Sequence, residues 1–134
     1  MNKNIEEKII SAFIIKQKKE RAKFELWNEK KRERFIWDIT ERKYFDEKYA
    51  HKIDLSGFSI EVLYQFLNEH GAPDDCYPLS IDNNYDGISL PLKFALEHLV
   101  YDGPVLISCI HGKLAYLEGE PTIGPPNRYL LIRK

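Results

Sequence analysis

The stretch Val105-Leu106-Ile107-Ser108-Cys109-Ile110-His111-Gly112-Lys113-Leu114-Ala115-Tyr116-Leu117-Glu118 sets two apolar runs on either side of His111-Gly112. An x-Gly connection between such runs is a hairpin signal, because the primed turn needs the positive φ that Gly adopts freely. Ile107 is then expected opposite Tyr116, and Cys109 opposite Leu114. Arg128 to Arg133 reads as a further strand, with Tyr129 and Leu131 on one face and Leu130 and Ile132 on the other. Cys76 to Ile81 reads as a strand near an edge, since Pro78 has no N–H for a central ladder. Both faces of these strands are largely apolar, which calls for helices on both sides, or on one side with a partner on the other. The fold class is α+β, with an antiparallel sheet of about four strands.

Outward from the hairpin, the punctuation places the helices. Ser89 is expected to cap a helix from Leu90 to about Asp102, with Pro91 in its first turn and Gly103-Pro104 as its stop. Leu92, Ala95, Leu96 and Leu99 form its buried face. Ile60 to His70 is a second helix, capped by Ser59, striped by Ile60, Leu63, Phe66 and Leu67, and ended by Gly71 ahead of Pro73. Ile5 to Ile39 holds neither Gly nor Pro, so a long helix or a helical hairpin joined near Asn28 is expected there, with Asn28 capping the second helix. Thr40 to Gly57 reads as a charged linker anchored by Tyr44, Phe45 and Tyr49, and Gly119 to Asn127 as a Pro-rich loop. At 134 residues the chain is expected to be one domain, its helical segment 1–40 packing on or extending from an α+β core over 58–134.

A hydrophobic content of 43% excludes wholesale disorder, and a net charge of −1 excludes an overall field that would drive the chain onto nucleic acid or an anionic membrane. The charge is nevertheless divided. Residues 1–57 hold 15 Lys and Arg against 11 Asp and Glu, whereas residues 58–134 hold 5 against 10. Apolar runs are far shorter than a membrane span needs, and polar Met1 to Asn4 is followed by Glu6 and Glu7 rather than an apolar segment, so a cytoplasmic protein with no membrane partner is expected. Cys76 and Cys109 both sit in apolar runs and read as reduced, buried thiols; with no Cys-x-x-Cys pair, no metal and no cofactor is expected.

Several constellations could carry chemistry. Asp82-Asn83-Asn84-Tyr85-Asp86-Gly87 matches the first half of a calcium loop, but Lys93 stands where the bidentate carboxylate belongs. Cys109 and His111 suggest a thiolate–imidazole pair, yet His111 lies in the turn and points away from the face that Cys109 lines. Asp74, Asp75, Asp82, Asp86, Glu118 and Glu120 could supply an acid/base pair or a two-metal site, and no nucleophile elbow, phosphate loop or dinucleotide fingerprint accompanies them. No catalytic residue is therefore assigned. The basic residues Lys18, Lys19, Lys23, Lys30, Lys31 and Arg34 could bind nucleic acid with Trp27 and Trp37 stacking on bases, but Glu20, Glu25, Glu29 and Glu33 are interleaved and favour pairing along a solvated helix.

Gly71-Ala72-Pro73-Asp74-Asp75-Cys76-Tyr77 and Ser108 to Glu120 resemble segments of small bacterial proteins that carry no assigned activity. A helix, a second helix opening after an Asx-rich loop, and then an apolar strand is also similar in order to barnase-inhibitor-like immunity proteins. That likeness implies a class and transfers no site. The leading expectation is a non-enzymatic protein-interaction module of the regulatory, inhibitor or immunity class. Asp74, Asp75, Tyr77, Tyr85, Asp86, Glu118 and Glu120 would meet a basic partner, Tyr giving contact area at low entropy cost. The alternatives are a nucleic-acid-associated protein using the basic helices, and a small metal-dependent enzyme using the 82–87 loop. The amino-terminal helices are also available to pair with their own copy as a homodimer.

Overall fold

A computed structural model describes residues 1–55, 57–121 and 124–133. In chain order the α-helices are α1 (Lys3–Phe13), α2 (Lys19–Leu26), α3 (Arg32–Glu41), α4 (Ile60–Glu69) and α5 (Leu92–Leu99). The strands are β1 (Ala50–Lys52), β2 (Asp75–Ser80), β3 (Leu90–Pro91), β4 (Val105–Ile110), β5 (Leu114–Glu118) and β6 (Arg128–Ile132). They form a six-stranded sheet in the order β1-β6-β5-β4-β2-β3, with every pair antiparallel. Among the described residues no helix is long and apolar enough to cross a membrane.

Side-chain alternation along the central strands divides the core into two layers. Leu106, Ala115, Leu117 and Leu131 face α1, α2 and α3, while Ile107, Cys109, Tyr116 and Leu130 face α4 and α5. Helices therefore cover both faces of the sheet, as its doubly apolar strands require.

The hairpin departs from the expected register at its tip. Ile107 does pair with Tyr116, but Leu114 pairs with Ile110, because the ladder shifts between Ser108 and Ile110. Cys109 is the extra residue of a bulge, and the connection is 111–113, closed by Lys113 N–H donating to the Ile110 carbonyl at 2.8 Å. Pro78 lies one strand in from the edge, between β4 and the short β3. Its carbonyl accepts from Gly87 N–H at 2.9 Å, so its own nitrogen, which points to the same side, faces the 82–87 loop rather than the β4 ladder.

The amino-terminal segment is three helices rather than one or two. α1 stops at Ile14 without Gly or Pro: Ile14 forms a bridge with Phe45, Asp46 N–H donates to Phe13 O at 2.6 Å, and Ile15 N–H donates to Tyr44 O at 2.8 Å. The second break does fall at Asn28, whose side chain accepts from Lys30 N–H, but α3 opens only at Arg32. The expected linker contributes β1 and buries Tyr44 and Phe45 in the core. α4 forms as expected, with Ser59 Oγ accepting from Val62 N–H at 3.1 Å. Ser89 does not cap α5; Leu90 and Pro91 pair with Cys76 and Asp75 first, and the helix opens after them.

Candidate functional site

The sheet buries one polar network on each face. On the first, Arg32 of α3 reaches Glu6 of α1 and Asp86 of the 82–87 loop, and all three side chains are nearly sealed from solvent. Arg32 Nε donates to Asp86 Oδ2 at 2.6 Å, Nη1 to Glu6 Oε1 at 3.1 Å and the Leu26 carbonyl at 3.0 Å, and Nη2 to Glu6 Oε2 at 2.8 Å and Asp86 Oδ1 at 3.2 Å. Every N–H of the guanidinium is thereby used. Burial opposes its charge, but the hydrogen bonds to Glu6 and Asp86 outweigh that and hold its pKa above the ordinary value. Tyr77 Oη donates to Glu6 Oε2 at 2.6 Å and Trp27 Nε1 to Oε1 at 3.0 Å. Burial, then the Glu6 bond, pushes the Tyr77 phenol up to about 12.

On the second face, Glu118 of β5 sits across from Arg128 of β6. Its Oε1 accepts from Tyr116 Oη at 2.6 Å and from Arg128 Nε at 3.2 Å, and its Oε2 accepts from Tyr101 N–H at 2.6 Å. Burial raises the Glu118 pKa, against the lowering effect of those donors, and burial together with Glu118 raises that of Tyr116. The Arg128 guanidinium lies against two rings, 3.8 Å from the Phe58 centroid and 4.7 Å from that of Tyr101.

These networks redistribute the expected partner-binding residues. Tyr77, Asp86 and Glu118 are interior and committed to internal hydrogen bonds, so in this fold they do not form a contact surface. Asp74, Asp75 and Glu120 are exposed and Tyr85 is half-buried. Asp86 lies on one face of the sheet and Glu118 on the other, which separates two of the carboxylates read as an acid/base or two-metal set. The 82–87 loop is an Asx turn: Asp82 Oδ1 accepts from Asn84 N–H, and the Asp86 carboxylate turns inward to Arg32 and to Ser80 N–H. Among the described residues no group of three His, Cys, Asp or Glu is placed to hold a metal ion.

The buried charges of the first network had a visible signal in the sequence. Glu6 precedes Ile9, Ile10 and Phe13, and Arg32 precedes Phe35, Ile36 and Ile39, at the spacings that put each on the apolar stripe of its helix. Of the basic residues read as a nucleic-acid surface, Lys19 Nζ donates to the Ser11 carbonyl at 2.6 Å, Lys23 meets Glu7 and Glu20, Arg34 meets Asp38, and Lys18 and Lys31 lie over the rings of Tyr44 and Phe24. Lys30 is exposed between α2 and α3.

Neither thiol is poised for chemistry. Burial pushes Cys76 up to about 12, with Asp75 adding to it, and burial next to Cys76 does the same for Cys109. Iodoacetamide near neutral pH is expected to leave both unmodified in the folded chain and to label both once urea unfolds it; a fast-reacting thiol in the native protein would contradict this. His111 pairs with Ser108, whose Oγ is 2.7 Å from Nδ1 and fully buried, rather than with Cys109. Burial, then the charge of Lys8, holds the His111 pKa below its ordinary value. Its contribution to stability is complete above the unfolded value of about 6.5 and is lost as pH falls through the folded one. The gap in urea midpoint between wild type and His111→Gln is therefore expected to narrow from about pH 7 to about pH 5.

Comparison of the chain with protein-family models, with curated proteins and with solved structures finds no match.

Proposed function

We propose that this chain is a non-enzymatic protein-interaction module of the regulatory, inhibitor or immunity class, which presents the face built by loop 82–88 and α5 to a basic partner protein. The observation that carries the proposal is an exposed, pre-stacked aromatic cluster. Phe94 and His98, one turn apart on α5, stack with ring centroids 4.0 Å apart, and Tyr85 of the loop meets both at 5.6 Å. Phe94 is 36% exposed and Ile88 beside Tyr85 is 49% exposed. A bond between His98 Nδ1 and the Phe94 carbonyl at 2.9 Å holds the ring in place. Rings already ordered before contact lose little rotamer entropy on binding, which is why such anchors dominate interfaces.

The surroundings favour a basic partner. Asp74 and Asp75 flank the opening of α5, the first by accepting from Leu92 N–H at 2.6 Å and the second by pairing with Pro91. Glu97 is exposed on the same helix, and this half of the chain carries the acidic excess. Complementary charge would steer association, and the aromatic cluster would supply the buried contact.

The test is co-purification at physiological salt from source cells, with tagged wild type and with Phe94→Glu. A stoichiometric protein retained by wild type and lost by the variant is expected, since a charge at an interface anchor costs about 2 kcal/mol or more. The same protein retained equally by Phe94→Glu, or a chain recovered with nucleic acid alone, would contradict the proposal.

A further inference from the structure

Two arginines are buried against the sheet, and they differ in one respect. Arg32 has all five donors engaged; Arg128, only 7% exposed, has its Nη2 buried with no hydrogen-bond partner among the described residues. An unsatisfied buried donor costs about 1–3 kcal/mol, and native interiors keep few of them. Arg128 forms part of the wall of a cleft of about 480 Å³, which Tyr101 reaches from just beyond the carboxy-terminal end of α5. The other walls include Phe58, Tyr101, Lys52, Asp54 and Asn127.

We propose that this cleft binds a carboxylate-bearing ligand, whose carboxylate pairs with Nη2 of Arg128 and whose body lies against Phe58 in place of the Tyr101 ring. The guanidinium is set in advance: Glu118 holds Nε at 3.2 Å, and the Phe58 and Tyr101 rings lie over it. Recognition therefore needs no reordering of the arginine itself, and a planar oxyanion matches its planar donor edge. The local charge disfavours a multiply charged ligand. Lys52 and Arg128 are balanced by Asp54 and Glu118, so the cleft carries no net positive charge, and each further negative charge on a ligand, as on the phosphate dianion, adds repulsion that nothing offsets.

Of the two rings, Tyr101 is the exposed one at 53%, with Phe58 half-buried, so it is the ring that gives way when a ligand enters. Its backbone is held by Glu118 in the left-handed region at φ 72°, so only the side chain has to move. Tyr101→Gly removes the cover and suits that backbone conformation.

The experiment follows the Arg128 Nε–Hε resonance and the backbone amides around 52–55, 101 and 127–128 in the full chain, titrated with sodium benzoate, with a short peptide carrying a free terminal carboxylate, and with inorganic phosphate. A saturable shift with benzoate supports a free organic acid as the ligand, and one with the peptide alone supports a chain terminus. Tyr101→Gly is expected to tighten the binding severalfold, and Lys52→Ala to weaken it about threefold, as loss of one rim charge does. No saturable shift with either carboxylate, or phosphate bound as tightly as they are, would overturn the proposal. Unchanged affinity in Tyr101→Gly would overturn the role given to that ring.

Discussion

Arg32→Ala is expected to cost about 3–5 kcal/mol, among the largest losses from any single substitution in this chain, because it leaves two carboxylates buried without their counter-charge. Glu6 and Asp86 are almost wholly sealed, and each takes two hydrogen bonds from this one guanidinium. The bonds tie α1, α3 and the 82–87 loop to one another, and Tyr77 of β2 and Trp27 join through Glu6. A domain of this kind has about 5–15 kcal/mol in total, so the variant would unfold at a far lower urea concentration, and its melting temperature would drop by about 10–20 °C. Arg32→Lys separates charge from geometry. An ammonium keeps the charge but has three donors where five are used, so an intermediate loss is expected. An urea midpoint unchanged in Arg32→Ala would show that this network contributes nothing.

Glu118→Ala is expected to lose a comparable amount, about 3–5 kcal/mol, through three groups at once. The Tyr116 hydroxyl, Arg128 Nε and Tyr101 N–H all donate to this carboxylate from buried or half-buried positions. Glu118→Gln keeps the shape and an acceptor and should lose less. It also isolates a pH effect. Because burial raises the Glu118 pKa in the fold, the wild-type contribution is complete below the unfolded value of about 4.3 and declines as pH rises through the folded one. The glutamine variant should lack that decline, which urea titrations between about pH 4 and pH 7 would show.

How far the fold could be read ahead follows from where its determinants lie. The β4–β5 pairing and α4 were legible because their signals are local: Gly112 and Gly71 both adopt positive φ, and Ser59 caps its own helix. The end of α1 was not, because nothing within 3–15 interrupts a helix; the backbone there is drawn off by Tyr44 and Asp46, some thirty residues on. β3 has two residues and β1 three, too few for a period to show. The bulge at Cys109 lengthens the turn by one residue, to 111–113, which neither flanking run reveals.

The candidate sites show the same division. Asp74, Asp75 and Tyr85 remained available where the sequence placed them, whereas Tyr77, Asp86 and Glu118 were drawn inside. For Glu118 the alternation Leu114, Tyr116, Glu118 already pointed inward, facing Arg128 across the strand pair. The Phe94–His98–Tyr85 cluster needed the loop folded back on α5, a contact that spacing along the chain does not contain.

On the proposed function, the face of loop 82–88 and α5 receives a partner protein. Hydrogen–deuterium exchange of the chain alone and with the protein it retains at physiological salt tests it most directly. New protection is expected over residues 82–98, with 16–34 exchanging as in the free chain. Protection confined to the basic helices α2 and α3, or a chain that retains no protein, would contradict it.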